Sequence, residues 1–310
     1  MKSNFTNFLL SNKLISYLIA KSKAISLPGF DGISIFVVSK YFLEALVNGS
    51  LNMRASSLAF NFFLALFPSI IFLFTLIPYI PIDNFQDNLF ELMQILLPEN
   101  AFKATEETIQ DILDNPKGGL LSFGFIAALY FSTNGFSSMI DSFNKTFHSI
   151  EERSILQNRL ISLIMVIIST LLISIAIGLI IFSNWVIKSL ELGNLTTVLI
   201  QGLEFIILFT LCLFSISFHY YLGPRKRENF KFISPGSLMA TTLTILASLL
   251  FTFYVNNFAN YNKLYGSIGT LIVIMLWILI VSFILLLGFD LNTSINQAQK
   301  SRSKELKPLE

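Results

Sequence analysis

Charge is the scarcest property of this 310-residue sequence. Only 13% of residues are Asp, Glu, Lys or Arg, against 54% hydrophobic, and mean hydropathy is +0.69. Soluble domains run at about 25% charged, so a chain this poor in charge cannot cover a water-facing surface. Cysteine is nearly absent. Cys212 stands alone inside an apolar run, which excludes an intramolecular disulfide and any thiolate metal cluster. His148 and His219 are the only histidines, which removes most zinc and triad chemistry. No nucleotide-binding motif occurs. The third glycine of a dinucleotide fingerprint is missing from Tyr265-Gly266-Ser267-Ile268-Gly269, and no strand precedes it. A net charge of +2 leaves no general nucleic-acid footprint. No cofactor, metal or nucleic-acid partner is implied.

What the chain has in abundance is long apolar segments. Six are long enough to span about 30 Å of hydrocarbon: about 55–81, 118–141, 159–187, 196–222, 234–258 and 266–290. The segments between them alternate in charge. Residues 1–54, 142–159, 223–233 and the tail after 290 hold seventeen Lys and Arg, and the other three loops hold four. The Lys/Arg excess marks the cytoplasmic side. The prediction is an all-α polytopic membrane protein with six transmembrane helices and with N- and C-termini cytoplasmic. Its parts are a cytoplasmic interfacial segment 1–54, a membrane domain 55–290 and a basic cytoplasmic tail 291–310.

Two regions read as amphipathic helices on the bilayer surface. Residues 1–48 combine apolar runs with Lys13, Lys21, Lys23 and Lys40. In the first external loop, 82–117, Phe102, Thr105, Ile109 and Ile112 recur at helical spacing opposite Glu106, Glu107, Asp111 and Asp114. Membrane lipids are the implied partner of both.

Polar residues inside the spans are expensive and mark candidate sites. Span 1 reads LAFNFFLALFPSIIFLFTLIPYIP over 58–81. Arg54, Asn61 and Pro68 are spaced by seven residues, so they lie on one helix face. Pro68 removes a backbone donor and predicts a kink. Span 2 carries Ser132-Thr133-Asn134-Gly135 and then Ser137-Ser138. Glu204 lies within span 4 and offers an ion site or a carboxylate that snorkels to the interface. Arg54, Asn61, Asn134 and Glu204 are the candidate cavity residues for a substrate or ion. Gly236, Ala240, Thr244 and Ser248 recur every four residues in span 5, a spacing of small residues that lets helices approach closely. Asp290 has two possible partners, Arg54 or the basic loop 225–231.

These residues together resemble the YihY/virulence factor BrkB family of bacterial inner-membrane proteins over about residues 35–295. MRASSLAFNFFLALFPSIIFLF is similar to that family's first-span motif, and FSTNGFSSMIDSFNKTF to its second-span exit. Toward the C-terminus Pro235-Gly236, Tyr254, Tyr261, Tyr265-Gly266, Trp277, Gly288 and Asn292 fall on the family pattern, with Asp290 where the family carries Glu. The resemblance implies a six-span helical fold with both ends inside. Members have been labelled as a tRNA-processing ribonuclease, which clustered carboxylates or histidines would have to support. The residues point instead to translocation of a lipid or small solute, not driven by ATP binding to this chain. The alternative is an envelope scaffold that binds lipid or partner proteins without transport.

Overall fold

The computed structural model describes residues 13–76, 118–146, 153–189, 193–225, 231–258 and 267–305. The loop 82–117, His148, Tyr265 and Gly266 lie outside them. Every regular element described is an α-helix. Two short helices come first, α1 (Lys13–Ala24) and α2 (Ile35–Asn48). Six long ones follow: α3 (Leu51–Leu76), α4 (Gly118–Thr146), α5 (Ile155–Ser189), α6 (Asn194–Leu222), α7 (Pro235–Phe258) and α8 (Ser267–Glu305). All six are long and apolar enough to cross a membrane. This is a multi-pass membrane protein.

The spans form a closed ring in chain order. Each packs against the next, and α8 returns to α3. The outer faces carry the apolar side chains that lipid solvates, such as Leu156, Ile167, Ile181 and Trp185 on α5. The buried core gathers toward one end of the ring, around Leu58, Met139, Phe143, Met165, Tyr220, Leu286 and Phe289. Phe143 stacks on Phe289 at 4.0 Å between centroids. Tyr220 donates its hydroxyl to the Leu285 carbonyl at 2.6 Å. The end of α6 lies in the same region, where Arg153 donates to the carbonyls of Gly223 and Pro224 at 2.9 and 2.8 Å. Orphan carbonyls at a helix C-terminus need such donors.

α8 runs fifteen residues past Asp290, where the last span was expected to give way to a tail. The reason is packing. Leu291, Ile295 and Ala298 continue an apolar stripe that buries Phe30, Ile33 and Val38 from the N-terminal segment. The turn before α2 fits against the bundle through two glycines at positive φ, Gly29 and Gly32. A Cβ on Gly29 would come within 2.6 Å of the Pro235 ring. Asp31 closes the contact, accepting from Lys231 Nζ and from Gln299 Nε2, each at 2.6 Å. Tyr41 and Ser301 join the two segments at 2.7 Å.

α3 is helical from end to end with Pro68 inside it. Asn134 and Gly135 likewise sit within unbroken helix. Gly135 leaves room for the Phe62 ring, which a Cβ would meet at 2.9 Å.

Candidate functional site

A polar slot separates the facing stripes of α3 and α4. Its first wall is Ser50, in the turn just before α3, with Met53, Arg54, Ser57 and Asn61 of α3. Its α4 wall is Asn134, Ser137, Ser138, Asp141, Ser142 and Lys145. Both walls advance by three- and four-residue steps, the repeat that keeps side chains on one helix face. Each runs over twelve residues, eleven steps of 1.5 Å or roughly 16 Å. The slot volume is about 420 Å³, within the usual range for small-molecule sites. Met53 is the single apolar side chain in its lining.

Arg54 forms the floor. It is 3% exposed. Its Nη2 lies 2.7 Å from Asp290 Oδ2 and its Nη1 3.2 Å from Oδ1, a bidentate pair. Nη1 also donates to Thr146 Oγ1 at 2.5 Å and to the Ser142 carbonyl at 3.2 Å. Thr146 in turn donates to Asp290 Oδ1 at 2.9 Å. A charge this deep survives only when paired and hydrogen-bonded, and here two other helices, α4 and α8, supply the partners. Between the two partners open to Asp290 in the sequence, it pairs with Arg54. One donor of the cluster, Arg54 Nε, is buried without an acceptor.

A second row of residues on α5 stands behind the α4 wall. Arg159 Nη1 donates to Asn134 Oδ1, and its guanidinium lies 5.6 Å from the Tyr130 ring centroid. Asn158 Nδ2 donates to Ser137 Oγ at 2.9 Å. Across the slot, the Ser57 and Ser138 hydroxyls approach to 3.4 Å. Asn61 Nδ2 is bonded to the Ser57 carbonyl of its own helix at 2.8 Å.

The structure therefore brings together Arg54, Asn61 and Asn134 and sets Glu204 apart. Glu204 is on α6, where it accepts from Ser183 Oγ of α5 at 2.6 Å. Pro68 is not in the slot lining. His219 is buried, 2.9 Å from Ser169 Oγ and stacked on Phe136. Among the described residues, no three of His, Cys, Asp and Glu gather closely enough to hold a metal ion.

The profile of the virulence factor BrkB family matches residues 42–309, which takes in all six spans and the whole slot. The chain belongs to the BrkB family. It is 32% identical over 259 residues to the ribonuclease-like protein YfkH of Bacillus subtilis, covering 80% of this chain and 90% of that one. It is 24% identical to the UPF0761 membrane protein NTHI0384 of Haemophilus influenzae, over 83% and 94% of the two chains. A UPF0761 membrane protein of Aeromonas salmonicida is 26% identical, over 83% and 88%. No solved structure matches.

The BrkB-pattern residues that the structure describes hold helices together. Asn292 of α8 accepts from the Gly236 N–H at 2.8 Å and donates to Ser234 Oγ at 2.7 Å, so it caps α7 from another helix. Ser234 and Ser237 exchange reciprocal bonds on the same turn. A Cβ on Gly236 would lie 2.0 Å from the Gly288 carbonyl, and one on Gly288 would lie 2.8 Å from Ala240 Cβ. Gly236 and Ala240 thus make the close α7–α8 contact. Higher on α7, Thr244 Oγ1 is buried without a partner, and Ser248 bonds the Thr244 carbonyl at 2.8 Å. Trp277 packs on Phe251 at 5.1 Å, and Tyr254 is 40% exposed. Of the groups in and around the slot, sequence reasoning missed Ser50, Met53, Ser57, Asp141, Ser142, Lys145, Thr146 and Arg159. The signal was present in the three- and four-residue spacing of polar positions from 134 to 145. It continued past the expected end of span 2.

Proposed function

We propose that this membrane protein translocates a lipid or small solute, with the α3–α4 slot as its binding site. The observation that carries the reading is the slot itself. It is a volume of about 420 Å³, lined almost wholly by polar groups, between two helices that cross the membrane. Polar side chains in a span are kept where protein or water satisfies them, and a scaffold that only docks lipid on its outer surface has no need of a polar slot between two spans. The loop charges favour placement in the bacterial inner membrane with both termini cytoplasmic. On that orientation the slot opens from the cytoplasmic side.

We do not extend the ribonuclease-like name of the Bacillus relative to this chain. Phosphodiester hydrolysis needs groups that hold ions or activate water, and the slot lining offers one carboxylate, Asp141.

Flux through reconstituted vesicles tests the reading, using tail-labelled phospholipids and small solutes. Orientation is read in the same vesicles by an impermeant thiol reagent at Ser303→Cys in a Cys212→Ser background. Asn61→Leu and Asn134→Leu should each slow flux about tenfold, the scale of one lost polar contact of about 1.4 kcal/mol. Undiminished flux in both variants removes the slot as the path.

A further inference from the structure

We infer that the deep half of the slot binds an uncharged polyol, a glycerol or sugar group held by its hydroxyls. This rests on the translocation reading and names its substrate class. Charge in the lining is balanced and lies toward one end. Arg54 is matched by Asp290. Asp141 and Lys145, one of each sign and both exposed, stand in the last turns of α4. From Ser57 and Ser138 onward to Asn61 and Asn134, the lining is hydroxyl and carboxamide only. A net charge seated in that half would lack a countercharge, which is expensive in a span.

The hydrogen-bond capacity of the lining is of both kinds. Asn134 Oδ1 accepts from Arg159, and its amide group offers donors. Ser137 Oγ accepts from Asn158, and its own proton can be donated. Asn61 gives an amide N–H to the Ser57 carbonyl, and its Oδ1 is an acceptor. Ser142 gives its proton to the Ser138 carbonyl and keeps its lone pairs. The Ser57 and Ser138 hydroxyls, 3.4 Å apart across the slot, both donate and accept. A phosphate or carboxylate only accepts, and an ammonium only donates. Each would strand part of this lining, at the cost of an unmade bond. A hydroxyl does both, and a row of hydroxyls meets both walls.

Arg54 supplies a second observation. It lines the slot, and its Nε is a buried donor with no acceptor. Few buried donors in a folded protein go unpaired. The oxygen of a ligand hydroxyl completes this one. A polyol reaches the slot either free or as the headgroup of a glycolipid.

The full chain is purified in a polyoxyethylene detergent, which carries no sugar. Native mass spectrometry compares retention of a monoglucosyl diacylglycerol, phosphatidic acid and phosphatidylethanolamine with matched acyl chains. Titration calorimetry measures methyl glucoside. Phosphatidylcholine vesicles report transbilayer movement of each tail-labelled lipid and uptake of radiolabelled methyl glucoside. Retention of the glucosyl lipid at least tenfold above both phosphate lipids supports the site and assigns a headgroup. Saturable binding of methyl glucoside without retention of the glucosyl lipid supports the site and assigns a free polyol. Ser57→Ala combined with Ser138→Ala should lower the binding about tenfold, the scale of one lost hydrogen bond, at unchanged unfolding temperature. Asn61→Leu is an independent variant and should have the same effect. Equal or better retention of either phosphate lipid, with no methyl glucoside binding, overturns the polyol assignment. Undiminished polyol binding in both variants also overturns it, by moving the site out of the slot. Selective polyol binding with no movement of any probe overturns translocation and leaves the site. Movement of a phosphate lipid that Asn61→Leu slows, without polyol binding, does the reverse.

Discussion

At the scale of single residues, Arg54 is a charge buried almost completely, and Asp290 is what makes it tolerable. Removing one partner of a buried ion pair leaves the other uncompensated, at a cost of about 3–5 kcal/mol. Asp290→Ala should therefore destabilise the folded protein by about that amount, seen as loss of monodisperse protein at lower temperature in detergent. The double variant Arg54→Met with Asp290→Leu should be less destabilised than Asp290→Ala, because neither charge is then stranded. A double variant as unstable as the single one would show that Thr146 and Ser142, not the pairing, hold this junction. The existence of both charges was legible in the sequence, since each stands out in an apolar run. Their pairing was narrowed to two options and no further, because 236 residues separate them and no local pattern encodes a contact at that distance. Arg159 was harder to see. It stands at the edge of a span, where a snorkelling arginine is ordinary, and only its contact with Asn134 sets it apart.

At the scale of elements, the spans themselves were the most legible feature, because a lipid-facing helix must be apolar over its whole crossing. Their ends were less so. The extension of α8 depends on Leu291, Ile295 and Ala298 meeting α2, a tertiary contact that hydropathy does not record. The spaced small residues of α7 announced a close approach without naming the neighbour. That neighbour is α8, through Gly288. Gly236→Val should push the two helices apart, since even its first carbon falls 2.0 Å from the Gly288 carbonyl. The shift would also pull the Gly236 N–H from Asn292. A drop in unfolding temperature larger than that caused by Ser248→Val, which lies three turns on, checks this. Equal drops would mean that the crossing point lies elsewhere.

At the scale of the whole molecule, the N-terminal segment is tied to the bundle through Asp31. The hydrogen bond from Lys231, reinforced by that ammonium's charge and by Gln299, holds the Asp31 carboxyl below its ordinary value of 3.8. A carboxylate whose pKa is lowered on folding stabilises the folded form above its unfolded value, and the contribution is lost as pH falls through the lower folded one. Docking of α1 and α2 should thus be insensitive to pH from 7 down to about 4 and weaken only below that. Hydrogen exchange in residues 25–48 at stepped pH measures it. The site is half-open to water, so high salt should loosen it as well. Weakening already between pH 7 and 5 would assign the tie to another group.

The pairing of Arg54 with Asp290 also sets an order of events. Chains grow at about 5–20 residues per second, so Arg54 waits on the order of ten to fifty seconds before its counterion is made. Throughout that interval the first span carries an unmatched guanidinium. A chain that stops short of α8 keeps it permanently and also leaves the start of α7 uncapped. The last span therefore completes the first and the fifth together.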